Sequence, residues 1–387
     1  MNETSHPRIA FYVQHLLGVG HVARADVIAT ALREAGFSVD VILGGPEVPG
    51  RYFEGCTTHH LPEARAADAS FSVLVDANGQ PLEDGWWQRR RELLQAILAN
   101  LRADLFLVEL YPFGRRAFRK ELDPVIQDLR AKAVPVACSL RDVLVAKKDP
   151  AKRQAMIDKA NRLFDLVLIH GDPTLIALED TLPEAAGLTT KTAYTGYVTG
   201  PRPDPLRPDR REKRSGVVVS GGGGAVAAPL MRAAMALRVE GFLSDQPWLF
   251  LAGPNLDPSV RAGLESLAAG LGPSVTVEAN RSDFRDLLSA ASLSISQGGY
   301  NTVMDLLAAG PCAVVVPFED GGESEQRFRA EKLAAKGLLT VAEAPTTDAL
   351  RPAIKTALEG SGPGAATFNL DGGAITAHLL REHLGLS

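Results

Sequence analysis

The sequence predicts an α/β protein of two doubly wound domains facing one another across a cleft, and three observations carry that expectation. Short apolar, β-rich runs alternate with stretches of helical periodicity along nearly the whole chain. Two of these series each place a glycine-rich turn soon after their first strand, at 16–21 and at 221–224. Between them, Thr199–Ser215 reads TGPRPDPLRPDRREKRS, a proline- and charge-rich stretch that cannot hold a core element and serves as a linker. The length of 387 residues agrees, since one core rarely grows that large.

In the first series, Arg8–Val13 is a strand ending at Gln14-His15, and the loop Leu16-Leu17-Gly18-Val19-Gly20 leads to His21. A helix is expected from Val22 to Ala35, stopped by Gly36, with the next strand at Ser38–Leu43. Gly18 and Gly20 let this loop pass close to a ligand and present His21 at the mouth of the cleft. There His21 is either a general base, with His15 in reserve, or a residue that caps the loop. Leu43-Gly44-Gly45-Pro46 is a second strand-to-loop switch, and 52–78 is irregular with short strand-like pieces. Trp86-Trp87-Gln88-Arg89-Arg90-Arg91 opens a helix to about Leu101, read either as a surface for an anionic or lipid-like acceptor or as an ordinary amphipathic helix. The strand Asp104–Leu110 ends in Val108-Glu109 and is followed by Tyr111-Pro112-Phe113-Gly114-Arg115-Arg116, where open α/β sheets place ligand groups. Glu109 orients His21, binds an acceptor, or pairs with Arg115 and Arg116, which otherwise suit an anionic acceptor. Further extended runs are Val134–Ser139, Leu166–His170 and Thr192–Tyr197, with a helix at Lys152–Leu163.

The second series opens with a strand at Gly216–Ser220, four glycines and a helix over Ala227–Arg238. Strands follow at Pro247–Ala252, Val275–Glu278, Leu293–Ser296 and Ala313–Pro317, and closing helices at Ala349–Leu358 and Ala374–Leu384. The stretch Ser294–Asp305, SISQGGYNTVMD, is the richest in chemistry. Gly298 and Gly299 permit a sharp turn and a close ligand approach, and the free amides of the next helical turn favour an anion. Thr302 adds a hydroxyl and Asp305 an acid one turn on, with Gln297 and Asn301 alongside, so the stretch reads as a pyrophosphate seat followed by a ribose-holding carboxylate.

Composition excludes several classes. A net charge of −5 argues against nucleic acid as the main partner, and 45% hydrophobic with 22% charged residues is ordinary for a soluble protein. No apolar run of about 18 residues occurs, and the N-terminus does not read as a secretory signal, so a cytoplasmic location is expected. The three cysteines, Cys56, Cys138 and Cys312, lie in or beside apolar stretches and read as free thiols. No Cys/His spacing suggests zinc, and no paired-carboxylate metal motif stands out.

Two long motifs, GVGHVARADVIATALREAGFSVDVI over 18–42 and SISQGGYNTVMDLLAAGPCAVVVPFEDGGESEQRFRA over 294–330, make the chain resemble the GT-B sugar-nucleotide glycosyltransferases. The similarity is greatest to the branch that completes the peptidoglycan lipid intermediate, and it covers essentially the whole chain. It implies two Rossmann-like domains: an acceptor-binding domain at 1–200, a donor-binding domain at 215–365, and a C-terminal helix, 366–387, packing back on the first domain. It places Gly298, Gly299 and Thr302 on the diphosphate turn and Asp305 on the ribose. Glu325 and Gln326 fall on the donor-sugar pair, Ser220, Gly221 and Gly222 near the phosphates, and Asn280 and Arg281 on the segment that reads the base. His21 matches the histidine of the acceptor-domain loop.

The implied activity is metal-independent, inverting transfer from a UDP-sugar to a hydroxyl acceptor, one that is anionic or lipid-linked at the inner face of the membrane. FYVQHLLGVGH, ELYPFGRRAFRKEL, SLRDVLV, HGDP and YTGYV also resemble a less studied group of bacterial glycosyltransferases. GVGHVAR resembles the loop of UDP-sugar hydrolases of nonulosonic acid synthesis, so a hydrolase stays open, as does a non-catalytic sugar-nucleotide-binding subunit. Closure about the linker, with a second hinge strand near 360–364, is the expected motion.

Overall fold

A computed structural model describes residues 6–16, 20–48, 50, 52–67, 73–144, 149–200, 214–223, 226–279, 281–319, 324–360 and 369–386. The linker residues 201–213 and the segment 361–368 lie outside them, as do Gly18 and Asn280. The chain divides into two compact units, Met1–Val198 with Phe368–Ser387, and Thr199–Thr367.

The first unit is built on seven parallel strands: β1 (Arg8–Val13), β2 (Ser38–Leu43), β3 (Thr57–His60), β4 (Leu105–Glu109), β5 (Val136–Arg141), β6 (Leu166–His170) and β7 (Lys191–Tyr194). Their order is β3-β2-β1-β4-β5-β6-β7, so the direction of winding reverses between β1 and β4. Alternate residues of β1 show why both faces are covered. Ile9, Phe11 and Val13 enter one core, while Ala10 and Tyr12 enter the other. Helices α1 (Gly20–Glu34), α2 (Asp84–Leu101), α3 (Arg119–Ala131) and α4 (Pro150–Leu163) supply the crossovers. A small antiparallel pair, Arg65–Ala66 with Leu74–Val75, lies within the irregular region.

Two expectations need correction here. The helix after β1 starts at Gly20, not Val22, so His21 stands in the first helical turn rather than in the loop. The Trp- and Arg-rich start of α2 is a structural clamp. Trp87 and Arg90 are buried, and Trp87 packs edge-on against Phe118 with ring centroids 5.3 Å apart. Arg90 lies 5.4 Å from the ring centroids of both Trp86 and Phe118. It donates to Glu121 at 2.6 Å, to the Gly44 carbonyl at 3.0 Å, to Tyr12 at 3.2 Å, and to Gln14 and the Pro62 carbonyl. A buried guanidinium is tolerable only when so fully paired. A Cβ on Gly44 would lie 2.0 Å from Arg90 Nη2, which is why that strand-to-loop switch carries glycine.

The second unit holds six parallel strands: β8 (Val217–Ser220), β9 (Trp248–Leu251), β10 (Val275–Glu278), β11 (Leu293–Gln297), β12 (Cys312–Val316) and β13 (Thr340–Val341). Their order is β10-β9-β8-β11-β12-β13, with the reversal between β8 and β11. Helices α5 (Ala228–Val239), α6 (Pro258–Leu271), α7 (Phe284–Ala290), α8 (Tyr300–Ala309), α9 (Glu325–Ala334) and α10 (Thr347–Glu359) cover it. The last helix, α11 (Gly372–His383), belongs to the first unit and packs along α1. Gly373 permits the approach, since a Cβ there would meet Ala31 Cβ at 3.2 Å, and Arg381 donates to the Ala35 carbonyl at 2.9 Å.

Candidate active site

In an open α/β sheet, ligands bind beyond the carboxyl ends of the strands where the winding reverses. In the first unit that point is flanked by the end of β1 and the end of β4. His21 follows the one and Glu109 terminates the other. His21 Nδ1 lies 2.6 Å from Glu109 Oε1, a contact made by residues 88 apart in sequence. Glu109 is buried, and its carboxyl is held down at about 2. Burial acts to raise it, and the opposing pull of His21, Arg24 and Arg115 wins. An ionised carboxylate only accepts, so His21 Nδ1 carries the hydrogen and Nε2 keeps its lone pair. Burial pushes the imidazole down to about 4 against the pull of Glu109, and the side chain retains 18% exposure. A neutral, oriented imidazole with one free nitrogen is the equipment of a general base.

Sequence reasoning missed Arg24. It stands one turn beyond His21 on α1, is buried, and shares Glu109 Oε1 with His21. The HVAR spacing, which sets His21 and Arg24 on one helix face, is the signal that could have found it. Arg115 and Arg116 do not pair with Glu109. Arg115 Nε donates to the Gln14 carbonyl at 2.9 Å, and Arg116 is exposed at the start of a 3₁₀ turn. Glu109 Oε2 is buried without a hydrogen bond. Below this group lies His170, pushed down to about 3 by burial and then by Arg24. Its Nε2 meets Ser139 Oγ at 2.7 Å and its Nδ1 meets Thr195 Oγ1 at 2.9 Å, so both nitrogens are satisfied internally. His15 is buried at the end of β1, and burial followed by Arg115 lowers its imidazole too.

In the second unit the winding reverses between β8 and β11, and the glycine loops stand there. Ser220 closes β8, and its hydroxyl accepts from the Gly222 amide at 3.3 Å. A Cβ on Gly222 would come within 3.8 Å of Thr302 Oγ1, so this loop and the start of α8 are neighbours. Gln297 Nε2 donates to the Val226 carbonyl at 3.0 Å and ties the end of β11 to the same loop. Gly299 is the residue before the first turn of α8, with φ −59°, and a Cβ there would touch nothing within 4 Å. Gly298 packs against Gln326, whose Cβ would lie 3.3 Å from an added Cβ, and Gln326 Oε1 accepts from the Phe318 amide at 3.1 Å. The structure thus brings Ser220, Gly221, Gly222, Gln297, Gly298, Gly299, Thr302 and Gln326 together around one helix N-terminus, with Asn301 in its first turn.

The remaining expected residues have structural partners. Glu325 is buried and pairs with Arg329 at 2.8 Å, beneath the Tyr300 ring. Asp305 accepts from Arg285 Nε at 3.0 Å, and burial raises its carboxyl against the pull of that arginine. Arg281 bonds Asp283 at 2.7 Å and Glu278 at 3.1 Å on the surface. Among the described residues no group of three or more His, Cys, Asp or Glu is placed to hold a metal ion, and no helix is long and apolar enough to cross a membrane.

Residues 233–360 match the glycosyltransferase family 28 C-terminal domain. Solved structures extend the likeness to the whole chain. MurG of Acinetobacter baumannii is 16% identical, with a TM-score of 0.63 over 97% of this chain and 99% of its own. A UDP-glucosyltransferase from Polygonum tinctorium that glucosylates indoxyl is 13% identical, with a TM-score of 0.64 over 99% of both chains. UGT71G1 of Medicago truncatula, solved with UDP-glucose, is 12% identical, with a TM-score of 0.61 over 99% of this chain and 100% of its own. A search of curated protein sequences found no match. At these identities the structures show the fold, which is that of the GT-B glycosyltransferases. With a family 28 domain inside it, the protein is a glycosyltransferase.

Proposed function

We propose that the protein moves a sugar from a nucleotide sugar, a UDP-sugar, to a hydroxyl acceptor, with inversion and without a metal ion. The reading rests on one contact above all, His21 Nδ1 to Glu109 Oε1 at 2.6 Å, which leaves Nε2 as base. In the step, the acceptor O–H gives its proton to His21 Nε2 and its oxygen forms the new bond to the anomeric carbon. The bond from that carbon to the diphosphate oxygen breaks, and its electron pair leaves with the nucleoside diphosphate. The amides at the start of α8 and the glycines before it suit the charge that grows there, which a metal ion would otherwise stabilise. A UDP-glucosyltransferase and a structure solved with UDP-glucose among the fold neighbours favour uridine as the base.

The test is release of free UDP by the purified protein from UDP-sugars, with and without a panel of hydroxyl acceptors and with EDTA. Acceptor-dependent, EDTA-insensitive release is expected. Release with free sugar and no acceptor makes the protein a hydrolase. Tight UDP binding without any release makes it a binding subunit, and loss of all turnover in EDTA restored by Mg²⁺ overturns the metal-independent step.

A further inference from the structure

We propose that Arg115 is the centre of an oxyanion subsite in the first unit, one that takes a phosphate or carboxylate group carried by the acceptor. The proposal rests on the glycosyl-transfer reading for its biological meaning, and on geometry alone for the site. Arg115 follows β4, next to the His21–Glu109 pair. Its backbone is left-handed, with φ 54° and ψ 34°, a conformation uncommon for a residue other than glycine and frequent where a side chain is held for function. Its Nε is fixed on the Gln14 carbonyl at 2.9 Å. Gln14 is itself locked, donating to the His15 carbonyl at 2.6 Å and the Ala64 carbonyl at 3.2 Å, so the guanidinium is anchored at one edge.

The other edge is open. The two terminal nitrogens of Arg115 make no hydrogen bond or ion pair among the described residues. Arg90 supplies the contrast within the same unit. A structural guanidinium there spends every nitrogen on protein acceptors. Arg115 is also surrounded by its own sign. Arg24 and Arg141 repel it, and the one carboxylate that attracts it, Glu109, already serves His21 and Arg24 through Oε1. A partly buried cation among cations is costly unless an anion completes it. Planar, two-pronged donation is the geometry that phosphate and carboxylate oxygens fit. His15 follows the carbonyl that Arg115 binds, and Arg115 is near enough to help push its imidazole down. The residue is 3% exposed, and its Nδ1 has no hydrogen-bond partner. Its nearness to Arg115 makes its ring a reporter for an anion bound beside that guanidinium.

The experiment follows the imidazole resonances of His15 and His21 by NMR, with UDP saturating so that the glycine loops of the second unit are occupied. Inorganic phosphate and acetate are titrated separately, into the wild type, Arg115→Gln, Arg115→Lys and, as a control, Arg116→Gln. Saturable shifts are expected in the wild type and in Arg116→Gln, weakened about tenfold or more in Arg115→Gln and less in Arg115→Lys. Tighter phosphate than acetate assigns the subsite to a phosphorylated acceptor, and the reverse to a carboxylated one. No saturable shift, or equal affinity in Arg115→Gln with an unchanged melting temperature, overturns the proposal. Anion binding without UDP release from any acceptor would instead sink the transferase reading and leave the subsite standing.

Discussion

The two points of reversed winding solve different problems with different parts of the chain. In the first unit the point is filled by charged side chains: His21, Arg24, Glu109 and Arg115, three of them meeting at a single carboxylate oxygen or beside it. In the second unit the described groups there are uncharged: glycines with Ser220, Gln297, Thr302 and Gln326 around the open start of α8. Side chains can tune a proton's affinity, and backbone amides can hold a diffuse negative charge without titrating. Under the proposed function, proton chemistry belongs to the first unit and phosphate binding to the second, and substitutions in the two should fail in different ways.

The largest expected effect tests the first half of that contrast. His21→Ala should lower turnover by about 100- to 10,000-fold and leave UDP affinity near the wild-type value by calorimetry. The pH profile gives the matching sign. As the proposed base His21 must be unprotonated, and its imidazole is held at about 4. Wild-type turnover should therefore hold above that value and fall as pH drops through it. If His21→Ala instead lost UDP binding with turnover intact at saturation, the division between the two regions would be wrong.

The second half is tested at two adjacent glycines. A Cβ at Gly299 meets nothing within 4 Å and the backbone there, at φ −59°, suits any residue, so Gly299→Ala should fold normally. A ligand drawn onto the start of α8 would meet that methyl, and UDP affinity should fall by about tenfold. Gly298→Ala is the companion. Its Cβ would lie 3.2 Å from Val315 and 3.3 Å from Gln326, so it should also cost about 1 kcal/mol of stability. Undiminished UDP binding in Gly299→Ala would place the diphosphate elsewhere.

Much of this frame is legible in the amino-acid sequence. The strands Arg8–Val13, Ser38–Leu43, Leu166–His170 and Val275–Glu278 stand at the residues expected, because short apolar runs bounded by turn residues admit little else. The helix Arg119–Ala131 escapes the reading although Leu122, Val125, Ile126 and Leu129 recur at helical spacing, because Pro124 inside it reads as a breaker. The misreadings share a cause. Trp87 and Arg90 read as an exposed aromatic and basic face, yet Glu121, which takes the charge, lies 31 residues on. Arg24 escapes notice because Glu109 is 85 residues away. Periodicity reports which face of an element is covered, and only the assembled sheet reports by what.

Asp305 carries the smallest expected effect and the sharpest question. Spacing from the glycine turn marks it as the ribose acid, whereas the structure gives its Oδ1 to Arg285. Both partners are about a fifth exposed, so the pair is worth about 1 kcal/mol or less. Asp305→Asn should therefore lower stability by no more than that. If the carboxylate is spent on Arg285, UDP affinity should change by less than about threefold, and equally for UDP and its 2′- and 3′-deoxy analogues. A loss of tenfold or more for UDP that disappears with a deoxy analogue would show that the ribose displaces Arg285 when the nucleotide binds. The second unit would then use a charged side chain at its ligand after all, and the contrast between the two regions would narrow to the proton that only the first can move.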